Sequence, residues 1–394
     1  MSRPRALPPF WVMAAALVAV AANLRVAITS VPPLLASISA DLGLSHAAAG
    51  ALTTLPVLCM GLFAPVASAV AHRIGAVAAV LGASVCVVLG TASRFAGDQV
   101  AVLYAGTFVA GVGIAVAGTL LPRLVKTFFP ADRVGLVTGL YMLAMMGGAA
   151  LSSAVSVPLA EALGSWEGAL GSWTVIAVVG TVVWAPFTMR ANPHHTRGET
   201  ARGRLPWGAP VAWLVAAYLT LQSWCFYSTV TWLAPTYVEH GWAASSAGYL
   251  LSAFTAAQIV SGLLGPVLSD RVTDMRRLLL PSALLGIVGC VGVYAAPVAA
   301  PWLWAVLIGL GQGAAFSLAL VLLVTYARTP ASSGRLTGMA FLVSYGIASV
   351  GPLAMGVVRD VTGGLTPVWL ILAAVGVVQV LVVTRLRPDL RKVD

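Results

Sequence analysis

An arginine lies inside the first apolar run of the chain, which covers roughly residues 10–38. About 20 helical residues cross a bilayer, and Arg25 follows about 15 residues of this run, so we expect it near the membrane midplane. A guanidinium at that depth costs a few kcal/mol or more unless it faces a wet cavity or a partner. We interpret Arg25 as a group that binds a carboxylate or another planar anion. The alternative is a structural arginine bonded to backbone carbonyls, or one in a gate.

Other polar and aromatic side chains are expected at a comparable depth, where an amide needs a partner from another helix or from a bound ligand. Thr29 lies one helical turn after Arg25 on the same face, whereas Asn23 lies nearby on another face. The candidate substrate-binding residues are Arg25, Asn23, Thr29, Gln222, Phe226, Gln258, Gln312 and Tyr345. Packing or hydrogen bonding between helices is the alternative role for each residue other than Arg25.

Acidic residues and histidines are missing from the middle of every apolar run. A proton-coupled pump usually holds a titratable group within the membrane, and a guanidinium does not deprotonate in proteins. Whether protons are partners is therefore left undecided by the sequence. If they are, the candidate carriers are Asp41, Glu161 and Glu239, near the ends of the runs. The hydrolase motifs HExxH and GxSxG are absent, so we predict no catalytic residue, no metal, no cofactor and no enzymatic activity.

The composition indicates an integral membrane protein. Of the 394 residues, 59% are hydrophobic and 9% are charged, whereas soluble proteins have about 25% charged residues. The apolar runs are continuous, which favours helices over the alternating strands of a barrel. The net charge of +10 is concentrated in alternate loops, so the partner is the lipid bilayer and not nucleic acid.

Twelve apolar segments predict an all-α membrane protein with twelve transmembrane helices. They lie at roughly 10–38, 46–71, 76–94, 99–126, 134–160, 168–190, 209–238, 244–269, 277–296, 301–327, 335–358 and 365–385. The polar stretch 191–208 is predicted to be a linker between six-helix bundles at 1–190 and 209–394.

The basic loops predict the orientation of the chain. Loops on one side carry most of the arginines, including Arg133 and Arg335, and both ends of the chain lie on that side. Loops on the other side are mainly acidic, with Arg94 and Arg359 as their only basic residues. Because basic loops stay in the cytoplasm, we predict a multi-pass protein of the cytoplasmic membrane with both termini cytoplasmic.

The two predicted halves share motifs in the same order. Five pairs recur at offsets of 198 to 200 residues: Gly50 with Gly248, His72-Arg73 with Asp270-Arg271, Gly111-Val112-Gly113 with Gly311-Gln312-Gly313, Pro130 with Pro330, and Thr138-Gly139 with Thr337-Gly338. This order indicates a duplicated six-helix unit, and internal repeats that enclose a midplane site are common in secondary transporters.

This architecture resembles the major facilitator superfamily, whose members carry an Asp-Arg motif in the loop after the second helix and a weaker copy after the eighth. The first copy here is 68–75, with His72 in the place of the aspartate and Arg73 after it. The second copy keeps Asp270 and Arg271. The resemblance implies that both loops lock one conformation of the transporter.

A closer resemblance, to the cyanate and nitroimidazole transporter family, rests on the stretches 23–35, 52–58 and 133–141. It implies a monomeric secondary transporter of a small anion, or of a strongly polar molecule, that works by alternating access. The main alternative is an exporter of neutral or cationic drugs or metabolites driven by the proton gradient. A sensor that binds without transport is a further alternative.

Overall fold

The structure is a computed structural model that describes residues 10–190 and 204–394. The described chain contains twelve long helices, as predicted. They are α1 Phe10–Leu42, α2 His46–Ile74, α3 Ala76–Ala96, α4 Val100–Phe128, α5 Asp132–Leu163, α6 Trp166–Thr188, α7 Pro210–Glu239, α8 Ala244–Ser269, α9 Arg276–Ala295, α10 Pro301–Thr325, α11 Ala331–Thr362 and α12 Thr366–Arg385.

Eleven of these helices are long and apolar enough to span a membrane. The remaining one, α7, has 30 residues and carries more hydroxyl and amide side chains than its neighbours. Its side chains are largely buried within the protein, where such groups can find partners. The predicted linker falls mainly on residues 191–203, which lie outside the described chain, so the division into two bundles stays a prediction.

The helix α1 is broken two-thirds of the way along its length. Its first part ends at Thr29, a single 3-10 turn covers Pro32–Leu34, and the helix resumes at Leu35. Proline has no backbone N–H and clashes with the preceding turn, so two consecutive prolines interrupt the helical hydrogen bonds. Pro32 and Pro33 thus account for the break in α1.

Arg94 lies against this break. Its side chain is fully buried, and its Nη2 donates a hydrogen bond of 2.7 Å to the carbonyl oxygen of Ala27. Its Nη1 lies 3.4 Å from the hydroxyl of Ser30. The sequence analysis counted Arg94 among the basic residues of the loops. That prediction was wrong, because the side chain is buried against α1. The carbonyl groups at the end of a helix attract a cation, and Arg94 supplies it from α3.

Helix packing corrects the register of the internal repeat. A Cβ on Gly111 would collide with Pro56 of α2, and a Cβ on Gly309 would collide with Phe254 of α8. Gly309 follows Gly111 by 198 residues, and Phe254 follows Pro56 by the same number. His72 and Asp270 have this offset too. Gly111 therefore corresponds to Gly309, and the sequence match of Gly111 with Gly311 is wrong by two residues. The helices of both halves approach each other closely through equivalent glycines.

The two halves of the chain meet at the ends of the helices that lie opposite the chain termini. The carboxylate of Asp360, in α11, accepts hydrogen bonds from the backbone N–H groups of His46 and Ala47 at 3.0 and 2.9 Å. It also lies 2.8 Å from Nδ1 of the His46 ring. Further inward, the hydroxyls of Thr53 and Thr231 lie 2.8 Å apart. An anion at the start of α2 is stabilised by the free N–H groups and the helix dipole. We call these contacts the distal seal.

The predicted lock residues His72, Arg73, Asp270 and Arg271 are exposed at the ends of α2 and α8. After α8, the ion pair that the structure forms joins Arg276 to Asp274 at 2.7 Å. Hydrogen bonds from Arg276 hold the pKa of the Asp274 carboxyl below its usual value. The locking role of the four predicted residues stays a prediction.

We expect Arg94→Ala to lower the melting temperature of the purified protein by several degrees. The substitution leaves a cavity and an unpaired carbonyl at the break of α1, which together cost about 2 kcal/mol or more. Arg328→Ala is the control, because Arg328 is 55% exposed and its ion pair with Asp394 is expected to contribute about 0–1 kcal/mol. Equal losses in the two variants would contradict the role of Arg94.

We expect Asp360→Asn to weaken the distal seal, because the amide loses the charge and one acceptor for the N–H groups of α2. The measurement is the rate at which a cysteine introduced at Thr231 reacts with a membrane-impermeant maleimide. The rate should rise several-fold in the Asn variant. Glu239→Gln is the matched control, because Glu239 pairs with Arg359 within the same half of the chain. An unchanged rate in Asp360→Asn would show that the seal does not depend on this carboxylate.

Candidate functional site

A cavity lies between the two halves of the chain. It is on the side of the distal seal that faces the chain termini, which we call the terminal side. It contains about 810 Å³ of space not filled by protein atoms, part of it continuous with solvent. The helices α1 and α5 form one wall, and α7, α8, α10 and α11 form the other. The cavity reaches from Arg25 at mid-depth to Leu263 and Leu320, near the ends of α8 and α10 on the terminal side. Proteins built from two repeats often have a site at mid-depth between the repeats.

Arg25 is the only residue with a formal charge among the described residues that line the cavity. Its side chain is 8% exposed, and its Nη1 has no hydrogen-bond partner. The guanidinium carbon lies 5.1 Å from the ring centre of Phe226 and 5.9 Å from that of Tyr227. Aromatic faces attract a cation but do not accept its N–H groups as a carboxylate does. The fork of Arg25 therefore keeps capacity for an acceptor from within the cavity.

The amides of α7 and α10 form the polar part of the opposite wall. The Nε2 of Gln222 lies 3.2 Å from the side-chain oxygen of Gln312, and Ser223 lies 3.2 Å from the side-chain oxygen of Gln222. Gln258 of α8 and Tyr345 of α11 also line the cavity. This amide and hydroxyl chain carries both donors and acceptors, so it can rearrange to bind a polar group without a change in charge.

Two candidate residues of α1 do not line the cavity. The amide nitrogen of Asn23 donates to the carbonyl oxygens of Ala19 at 2.9 Å and Ile176 at 3.1 Å. The hydroxyl of Thr29 bonds to the carbonyl of Arg25 and lies 2.7 Å from the hydroxyl of Ser152. Their contacts fit the alternative role, hydrogen bonding between helices: Asn23 fixes α1 to α6 and Thr29 fixes it to α5.

The sequence analysis missed several residues that line the cavity. The apolar ones come mainly from α5 and α8: Met142, Leu143, Ile259 and Leu263. Tyr227 was also missed, although Ser223 and Tyr227 repeat the i,i+4 spacing of Gln222 and Phe226. That second pair was the available signal. Leu143, Ile259 and Leu263 had none, because aliphatic residues occur in every helix.

The sequence profile of the Major Facilitator Superfamily matches residues 12–352. The chain belongs to this superfamily. Within the major facilitators, the chain is 35% identical to the 2-nitroimidazole transporter of Escherichia coli (strain K12) over 355 residues, which is 89% of each chain. It is 32% identical to the cyanate transport protein of the same organism over 355 residues, covering 90% of this chain and 91% of that protein. Both relatives are membrane transporters.

A major facilitator of known structure shares the fold. The nucleoside transporter NupG aligns with a TM-score of 0.77 at 12% identity, covering 95% of this chain and 99% of that one. An identity this low supports the fold alone, so it gives no information on the cargo. The all-α major facilitator fold expected from the repeats is thus confirmed, and the protein is a multi-pass membrane transporter.

Proposed function

We propose that this chain is a secondary active transporter that moves a small anion, or a strongly polar small molecule, by alternating access, with Arg25 binding the negative part of the cargo. The observation that carries the proposal is that Arg25 lines the cavity while its buried Nη1 has no hydrogen-bond partner. A buried guanidinium is stable when an acceptor satisfies its N–H groups, and an anion in the cavity can provide one.

The uncharged part of the cavity supports a cargo with an apolar body. Phe226 and Phe316 are aromatic, and Met142, Met145 and Met146 place flexible thioethers on the facing wall. Methionine adapts to differently shaped ligands, while Gln222 and Gln312 offer hydrogen bonds for polar substituents. The names of two relatives fit this arrangement, because cyanate is a small anion and 2-nitroimidazole is a planar polar ring.

The distal seal indicates which state of the transport cycle this conformation represents. With both termini in the cytoplasm, as the basic loops predict, the cavity faces the cytoplasm and the seal closes the outer side. Rocking of the bundles 1–190 and 209–394 about Arg25 would open the seal and close the cytoplasmic side. A single chain forms the whole cavity, so a monomer in the bacterial inner membrane is sufficient for transport.

An exporter of neutral or cationic compounds is the second candidate. The methionines and aromatic rings that line the cavity favour it, since such walls bind apolar drugs. In that case Arg25 would have a structural role and the cargo would bind to the apolar wall. A cation would also have to enter a cavity that already holds an unneutralised positive charge, which is unfavourable.

We expect small anions to raise the melting temperature of the wild-type protein in a concentration-dependent way and to have no such effect on Arg25→Ala. A ligand that binds the folded state stabilises it according to its concentration and affinity. The panel consists of formate, nitrate, cyanate, benzoate, 2-nitroimidazole and a cationic drug such as ethidium, each at two pH values.

The matched control is Asn23→Ala, which alters a buried polar residue of the same helix outside the cavity. It should lower the melting temperature without ligand and keep the response to anions. Arg25→Lys should keep a weakened response, because the ammonium retains the charge but not the planar fork. Stabilisation by ethidium alone, equal in wild type and Arg25→Ala, would favour the exporter and reject the anion site.

A further inference from the structure

The positive charge of the cavity has no internal means of neutralisation. Arg25 is the sole charged residue among the described cavity residues, and no aspartate, glutamate or histidine lines the cavity with it. A guanidinium does not lose its proton in a protein, so the site cannot discharge itself. In the described chain, charge balance at Arg25 therefore has to come from the cargo.

Of the three acidic residues named as proton carriers, Glu161 is exposed near the end of α5 on the distal side, and the other two are held by contacts outside the cavity. Asp41 accepts a hydrogen bond of 3.0 Å from the indole of Trp166. Glu239 contacts Arg359 at 2.6 Å and accepts from the backbone N–H of Leu365 at 2.9 Å. Each of these contacts lies within one half of the chain, at the helix ends on the distal side. Neither carboxylate can follow the cargo through the cavity.

Alternating access requires a state in which both ends of the site are closed. Without cargo, Arg25 enters that state as an unpaired cation in a medium of low dielectric constant, which is strongly unfavourable. The rings of Phe226 and Tyr227 offset only part of this penalty, because they leave Nη1 without an acceptor. With a monoanion bound, the site is neutral and the N–H groups are satisfied.

We propose, on the basis of the proposed anion site, that this transporter is an exchanger of monoanions. The loaded carrier reorients readily, whereas the empty carrier is held back by the unneutralised charge of Arg25. Net movement of one anion needs an empty return step, so it is slow, and exchange of one monoanion for another is fast. A dianion would leave the closed site with a net negative charge, so it exchanges poorly. Exchange of monoanions moves no net charge and needs no proton.

The first test measures flux in liposomes that contain the purified wild-type protein. The liposomes are loaded with radiolabelled formate, nitrate, cyanate or benzoate, choosing the monoanion that stabilises the wild type most. They are then diluted into the same unlabelled monoanion or into sulfate. Efflux into the unlabelled monoanion should be at least about tenfold faster than into sulfate, which corresponds to about 1.4 kcal/mol of extra barrier for the empty carrier.

With the outer pH held constant, so that His46 and Asp360 of the distal seal keep their charge, imposed pH gradients and membrane potentials should leave the exchange rate unchanged. Equal efflux into sulfate and into the monoanion, or acceleration by such a pH gradient, would overturn the exchange inference while the proposed anion transporter stands. An absence of protein-dependent flux under every condition would overturn the proposed function and the inference together.

The second test observes the empty carrier directly. A cysteine that replaces Thr231, in the inner part of the distal seal, reacts with an impermeant maleimide only when the outer side opens. In the variant that carries this cysteine and keeps Arg25, labelling should be slow without anions. The monoanion should make it at least about tenfold faster, and sulfate should have little effect. Adding Arg25→Gln, which removes the charge, should make labelling fast without any anion. Arg25→Lys should restore the requirement for an anion, and fast labelling of the empty Lys variant would contradict the inference.

Discussion

A guanidinium buried in a membrane protein needs acceptors, and two arginines at α1 meet this constraint differently. Arg94 is fully buried and directs both terminal nitrogens at a backbone carbonyl and a hydroxyl near the break in α1, which leaves only its Nε without a partner. Arg25, within α1, is nearly as buried, lines the cavity and has no partner for Nη1. The same chemical group is therefore structural in one place, and in the other we propose that it binds a ligand.

The constraint also fixes the position of Arg25. The prolines of α1 free carbonyl groups, and Arg94 pairs with one of them from α3. Asn23 ties the same helix to α6, and Thr29 ties it to α5. These contacts hold α1 to its neighbours and so limit the movement of the Arg25 backbone. For the anion site that we propose, a backbone already held in place reduces the conformational entropy lost on binding.

The sequence predicted the twelve helices because length and apolar composition act locally. Of the eight candidate residues that it predicted, six line the cavity, and Arg25 is one of them. An isolated polar group at mid-depth has few stable environments, which is why the prediction was possible. It could not separate Gln222 from Asn23, since both are mid-depth amides and only the packing of neighbouring helices decides which one faces a carbonyl and which one faces the cavity. Arg94 was misplaced for a related reason. Its acceptor is created by the break of another helix, 67 residues earlier in the chain.

The composition of the cavity differs between its two walls, and this difference bears on how binding can lead to closure. The charge comes from α1, whereas Gln222, Gln258 and Gln312 come from helices of the other half. A cargo that pairs with Arg25 and also bonds to these amides contacts both halves at once. Its binding energy can then stabilise the closed state selectively, because those contacts shorten as the halves approach. The thioethers of Met145 and Met146 adapt to the remainder of the molecule. The proposed site would thus select its cargo by charge and tolerate differences in shape.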